Sequence, residues 1–176
     1  MGSVKKGLVQ VYTGNGKGKT TAALGQALRA IGHGWRVYMV QFMKGSREYG
    51  ELMAARHLPG LTIVQSGLPT FVRKGSPGEE DVRLAREGMR LAREAITGGQ
   101  YELVILDEIN VAVDYGLVPL EEVLELVRLK PPHVNVILTG RYAPPALAAE
   151  ADLVSEVLEI KHHYHQGVQA QAGIEY

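Results

Sequence analysis

The chain has 176 residues, 45% of them hydrophobic, with 19 lysines and arginines balancing 19 aspartates and glutamates and no cysteine. That size and composition suit one soluble domain, residues 1–176, with a full core. They exclude disulfides, thiolate metal sites and a bilayer-spanning run of about eighteen apolar residues, and they give no overall positive charge to grip nucleic acid. The opening residues 1–7 lack the apolar stretch of a secretory leader, which predicts cytoplasmic residence.

Residues 8–12, Leu-Val-Gln-Val-Tyr, read as a first strand. The segment Thr13-Gly14-Asn15-Gly16-Lys17-Gly18-Lys19-Thr20-Thr21 follows, and Leu24, Ala27, Leu28 and Ile31 then recur at helical spacing until Gly32 and Gly34. A strand, a glycine-rich turn and a helix opening with Gly-Lys-Thr form a phosphate-binding P-loop. The glycines let backbone N–H groups turn inward around an anion at the positive end of the helix dipole. Lys19 adds a point charge, and the Thr20 hydroxyl stands where a phosphate-bound Mg²⁺ takes a ligand. Thr13 occupies the place of the first glycine of the full pattern, so the ligand's pose need not be the usual one.

Residues 35–43 are a nearly continuous apolar run, as in a parallel strand covered on both faces, closed by Lys44-Gly45. A short helix over 48–57, Pro59-Gly60 and a third strand at 61–65 come next. Residues 66–78 form the longest irregular segment, with three glycines, two prolines and the second of the two phenylalanines, Phe71. A loop of that length in a compact domain is more often functional than ornamental. Val82, Ala85, Met89, Ala92 and Ile96 place one apolar stripe on a helix of about five turns, while Arg83, Arg86, Arg90 and Arg93 read as its solvated face. Gly98-Gly99 stops it.

A strand at 101–106 then delivers Asp107 and Glu108 at its C-terminal end, where open α/β sheets bind ligands. Beside a P-loop this is the pattern of a Walker B strand. One acid would hold Mg²⁺ and the other would orient a nucleophile or complete the metal shell. Leu120, Val123, Leu124 and Val127 mark another helix. A strand at 134–138 leads to Thr139-Gly140-Arg141, placing Arg141 on the same sheet edge to pair with phosphate, stack on adenine or make a surface ion pair. A short helix at 144–149 and a strand at 153–160 end the regular pattern. His162, His163 and His165 fall in expected coil without a carboxylate partner, which argues against a metal site. The role of 166–176 is not visible in composition. Alternating strands and helices predict a three-layer α/β sandwich on a mostly parallel sheet.

Taken together, residues 12–21, 40–45 (Val-Gln-Phe-Met-Lys-Gly), 106–110 (Leu-Asp-Glu-Ile-Asn), 138–141, Lys161-His162 and 167–176 resemble the ATP:corrinoid adenosyltransferases of the BtuR/CobO/CobP type. That family also carries threonine where the first Walker glycine would be. The resemblance implies a P-loop NTPase-like, RecA-like fold and transfer of the 5′-deoxyadenosyl group of ATP to Co(I) of a corrinoid, with inorganic triphosphate released. It implies that Gly14, Asn15, Gly16, Lys17, Gly18, Lys19, Thr20 and Thr21 hold the triphosphate, that Thr20 and Glu108 bind Mg²⁺ with Asp107 behind them, and that Arg141 contacts the nucleotide. Where the family has Phe-x-Trp near the lower corrinoid face, this chain has Phe71-Val72-Arg73. Phe71 is kept and the tryptophan is not. A separate flavin-type reductase as electron donor and a homodimer are also implied; some members carry an N-terminal extension that covers an active site, whereas this chain begins a few residues before its expected first strand. The competing readings are a P-loop ATPase or nucleotide-dependent switch acting on a protein or nucleic acid, and, less well matched for want of an arginine-rich lid, a nucleotide kinase.

Overall fold

A computed structural model describes residues 6–176. Six strands, β1 (Val9–Thr13), β2 (Val37–Phe42), β3 (Leu61–Ser66), β4 (Leu103–Asp107), β5 (Asn135–Thr139) and β6 (Leu153–Glu156), form one sheet in the order β3-β2-β4-β5-β1-β6. Every pairing is parallel. Strand side chains alternate between faces, and the sequence uses both. Val104 and Leu106 enter one core with Val11, Phe42 and Leu138, while Leu103 and Ile105 enter the other with Met39 and Ile137.

Helix α1 (Lys19–Gly32) packs on the second face through Ala23, Ala27 and Ala30, whose small side chains bring it close to the sheet. Helix α2 (Gly50–Ala55) lies on that side through Ala55. The first face is covered by α3 (Glu79–Thr97), α4 (Ile109–Asp114), α5 (Leu120–Leu129) and α6 (Pro145–Glu150). The stripe Ala85, Met89, Ala92 and Ile96 is buried as the spacing predicts. Arg83 and Arg90 spend their charge on Glu80, Glu87 and Glu94 of the same helix. Among the described residues no helix is long and apolar enough to cross a membrane.

Two differences from the sequence reading matter for the site. The last strand stops at Glu156 rather than 160, because the chain leaves the sheet to lie along the P-loop: Val157 N–H donates to the Thr13 carbonyl at 2.8 Å, and Gly16 N–H donates to the Val157 carbonyl at 2.8 Å. Helix α4 was not foreseen. It is six residues long, too short for a periodic stripe, and is fixed by burial of Ile109, Asn110 and Ala112. A 3-10 turn, His163–Gln166, also replaces expected coil.

A candidate nucleotide cleft

The parallel order sets the C-terminal ends of β1, β5, β4 and β2 side by side, with Tyr12 opposite Thr139 and Gln41 opposite Asp107. β1 turns directly into the P-loop. Thr13 has a structural use in place of the missing glycine, since its hydroxyl accepts the Ala143 N–H at 3.2 Å. Gly16 lies so near the chain after β6 that a Cβ would come within 2.6 Å of the Leu158 carbonyl oxygen. Gly18 is different. It has φ 122° and caps α1, and a Cβ there would meet no heavy atom within 4 Å. Its freedom serves the turn of the loop, and the space beside it belongs to a cleft of about 680 Å³.

Lys19 is 7% exposed and donates to the Gly16 carbonyl at 2.7 Å, folding over its own loop. Burial pulls its pKa down, partly offset by Glu108. Thr20 Oγ1 donates to Asp107 Oδ1 at 2.8 Å, which leaves the threonine oxygen's lone pairs for a cation. Asp107 is wholly buried and also accepts from Thr139 Oγ1 at 2.7 Å and from Lys44 Nζ at 2.8 Å. Both its oxygens therefore serve protein donors, and the residue positions Thr20 and Lys44 instead of lining the cleft. Thr139, at the end of the strand between β1 and β4, in turn accepts the Glu108 N–H at 3.0 Å.

Glu108 does line the cleft. Its backbone is left-handed, φ 61°, a costly conformation for a residue with a side chain and one concentrated at functional positions. Burial, then the neighbouring Asp107 charge, raise its pKa, while Lys44 and Lys19 oppose them. The Lys44 ammonium, where burial works against the charge, is nonetheless held above the usual lysine range by Asp107.

Of the predicted binding set, Gly16, Lys17, Gly18, Lys19, Thr20, Thr21, Glu108 and Arg141 line this one cleft. Gly14 and Asn15 are not in its walls: Gly14 is pressed against the Val157 carbonyl and Asn15 is exposed. Phe71 is fully exposed and outside the cleft walls. Its loop is tied to them through Lys74, which pairs with Asp114 at 2.6 Å and lies over the rings of Tyr115 and Tyr142 at 5.9 and 5.3 Å.

Sequence reasoning gave Lys44 no role, although it closes an apolar strand and lies in the 40–45 segment that carries the resemblance. It also missed Glu51, aimed by a chain in which Gln65 donates to Gln41 and Gln41 to Glu51. It singled out His162 and 167–176 only as segments of the resemblance, without the place the structure gives His162 and residues 173–176 in one wall. Glu175 fixes that segment, accepting the Gln171 N–H at 2.8 Å and lying 3.0 Å from His163 Nε2. His165 pairs with Glu159 at 2.8 Å. Among the described residues no three histidine or carboxylate side chains gather as a metal cage.

A P-loop, a strand-end acid pair and an arginine on one edge of a parallel sheet define a nucleotide-binding protein of the P-loop class. Solved structures agree on the fold. The RadB recombinase aligns with a TM-score of 0.56 at 16% identity over 90% of this chain and 78% of its own, and a KaiC-like protein from Pyrococcus horikoshii OT3 with 0.57 at 16% identity over 89% and 74%. The chain belongs to the ATP:corrinoid adenosyltransferase BtuR/CobO/CobP family, whose sequence model matches residues 5–176. Relatives include the corrinoid adenosyltransferase of Escherichia coli strain K12, 39% identical over 98% of this chain and 87% of that protein. Those of Pseudomonas aeruginosa and Salmonella typhimurium are 34% and 38% identical over 98% of this chain and 85% and 87% of theirs.

Proposed function

We propose that this protein transfers the 5′-deoxyadenosyl group of ATP to the Co(I) centre of a corrinoid and releases inorganic triphosphate. The observation that carries the reading is family membership along the whole chain, joined to a cleft whose phosphate cradle opens onto space beside Gly18.

The Co(I) electron pair attacks C5′ of the ribose, the C5′–O5′ bond breaks, and its electrons leave on the oxygen of the α-phosphate. Cobalt is the nucleophile, so no side-chain base is needed. The protein's work is to hold cobalt, C5′ and O5′ in line and to steady the charge that grows on the leaving triphosphate. Lys19 and the N–H groups of residues 16–21 supply fixed positive potential there, and Arg141 contacts the nucleotide from across the cleft. The Thr20 hydroxyl and the Glu108 carboxylate are hard oxygen donors suited to Mg²⁺, which usually takes one or two protein oxygens plus phosphates and, when bound, would neutralise triphosphate charge.

Phe71 and its loop would cover the corrinoid on the face opposite the adenosyl group. Reduction to Co(I) is assigned to a separate flavin-type reductase, since the sequence has no flavin or iron–sulfur motif. A cytoplasmic homodimer, one domain per chain and without a nucleic-acid partner, completes the reading. Incubation with ATP, Mg²⁺ and chemically reduced corrinoid tests it: triphosphate and a light-sensitive alkyl-cobalt product are expected, while ADP and phosphate released without corrinoid would contradict it.

A further inference from the structure

Lys44 has no part in the reading above, yet it stands in the wall of the same cleft as Lys19. The residue before it, Met43, has a left-handed φ of 59°, which turns the chain off the end of β2. The lysine side chain then crosses to the end of β4, where Nζ lies 2.8 Å from Asp107 Oδ2 with its side chain 14% exposed. An ammonium has three protons to donate, and among the described residues Asp107 is its one hydrogen-bond acceptor. The ring of Tyr49, itself part of the cleft wall, lies 5.2 Å from Nζ. Asp107 already receives two hydroxyls, and a neutral donor would complete it. A lysine there instead adds an ammonium with unused protons to a cleft wall that already holds Lys17, Lys19 and Arg141.

The chemistry supplies a use for that charge. When C5′–O5′ breaks, the departing triphosphate gains one negative charge relative to the ester, so a further cation in reach of it stabilises the transition state more than bound ATP. We propose that Lys44 is a catalytic residue that contacts the phosphate chain of the nucleotide, held in reach by Asp107, and shares with Lys19 the neutralisation of the leaving triphosphate. This rests on the adenosyl-transfer reading.

Calorimetric titration of the full chain with inorganic triphosphate, and separately with adenosine, tests it without any corrinoid. Lys44→Met should weaken triphosphate by about tenfold or more, the scale of one charge-assisted contact, and leave adenosine unchanged. Lys44→Arg should retain most of the triphosphate affinity. A folded Lys44→Met protein with wild-type triphosphate affinity, or one that loses both probes alike, overturns the assignment. Should Lys44→Met fail to fold, the double variant Lys44→Met with Asp107→Asn removes the orphaned charge and is read by the same two criteria. Wild-type protein that binds neither probe would refute the nucleotide reading itself instead of the part given to Lys44.

Discussion

The two sides of the cleft are built on different principles. On the P-loop side, Thr20, Thr139 and Lys44 converge on one buried carboxylate, and each is carried by a strand end or a helix start. On the other side, the loop with Phe71 and the tail beyond His163 are largely exposed and held by surface pairs such as Lys74 with Asp114 and His163 with Glu175. The contrast teaches that the phosphate side is preorganised by the sheet, whereas the other side rests on partly exposed ion pairs that contribute little rigidity.

Asp107→Ala should break this comparison most visibly. Removing one member of a buried charge pair costs about 3–5 kcal/mol, read as a lower urea midpoint, whereas Lys74→Ala on the other side should cost no more than about 1 kcal/mol. Equal losses would mean the two sides are equally rigid. Lys19→Ala comes next. It should weaken ATP binding by about a hundredfold in calorimetry, and unchanged affinity would remove the P-loop from the account. Glu108→Gln should raise the Mg²⁺ concentration needed for half-maximal activity by roughly tenfold with little change in folding. An unaltered metal dependence would exclude Glu108 from the metal shell.

Smaller effects sharpen the contrast. Asp152 ties the start of β1 to the loop before β6, accepting from Lys6 at 2.7 Å and the Val9 N–H at 2.9 Å, and both hold its pKa below the usual aspartate value. A depressed carboxylate stabilises the fold above its unfolded pKa, and that contribution fades as pH falls through the folded one. Asp152→Asn should therefore lower stability by about 0.5 kcal/mol at neutral pH, with the deficit shrinking below about pH 3.8. Phe71→Ala should leave stability within about 0.5 kcal/mol, because the ring is fully exposed. It should nevertheless alter the Co(II) paramagnetic resonance signal of a corrinoid bound together with ATP, because the ring would cover the face opposite the adenosyl group, and an unchanged signal would free Phe71 of its assigned role.

Much of the sheet was legible because parallel strands buried on both faces write themselves as apolar runs, and the runs at 35–43 and 101–106 left little choice. The P-loop and Glu108 were legible because their residue types sit at fixed offsets from a strand end. The place of Lys44 in the cleft wall was not, since it depends on β2 lying next to β4, a pairing no local pattern states. The wall formed by residues 173–176 was hidden for a similar reason. Glycine, isoleucine, glutamate and tyrosine in a tail carry no periodicity, and Glu175 acquires its place only through contacts with Gln171 and His163. The overlong reading of the last strand came from apolar Val157, Leu158 and Ile160, whose backbone the P-loop engages or leaves outside the sheet.

The central claim is that carbon, not phosphorus, is attacked. ATP carrying ¹⁸O at the 5′ position, turned over with Mg²⁺ and reduced corrinoid, tests it directly. The label should appear in inorganic triphosphate, released in step with the alkyl-cobalt product. Label retained in an adenine nucleotide, with phosphate formed whether or not corrinoid is present, would contradict the account.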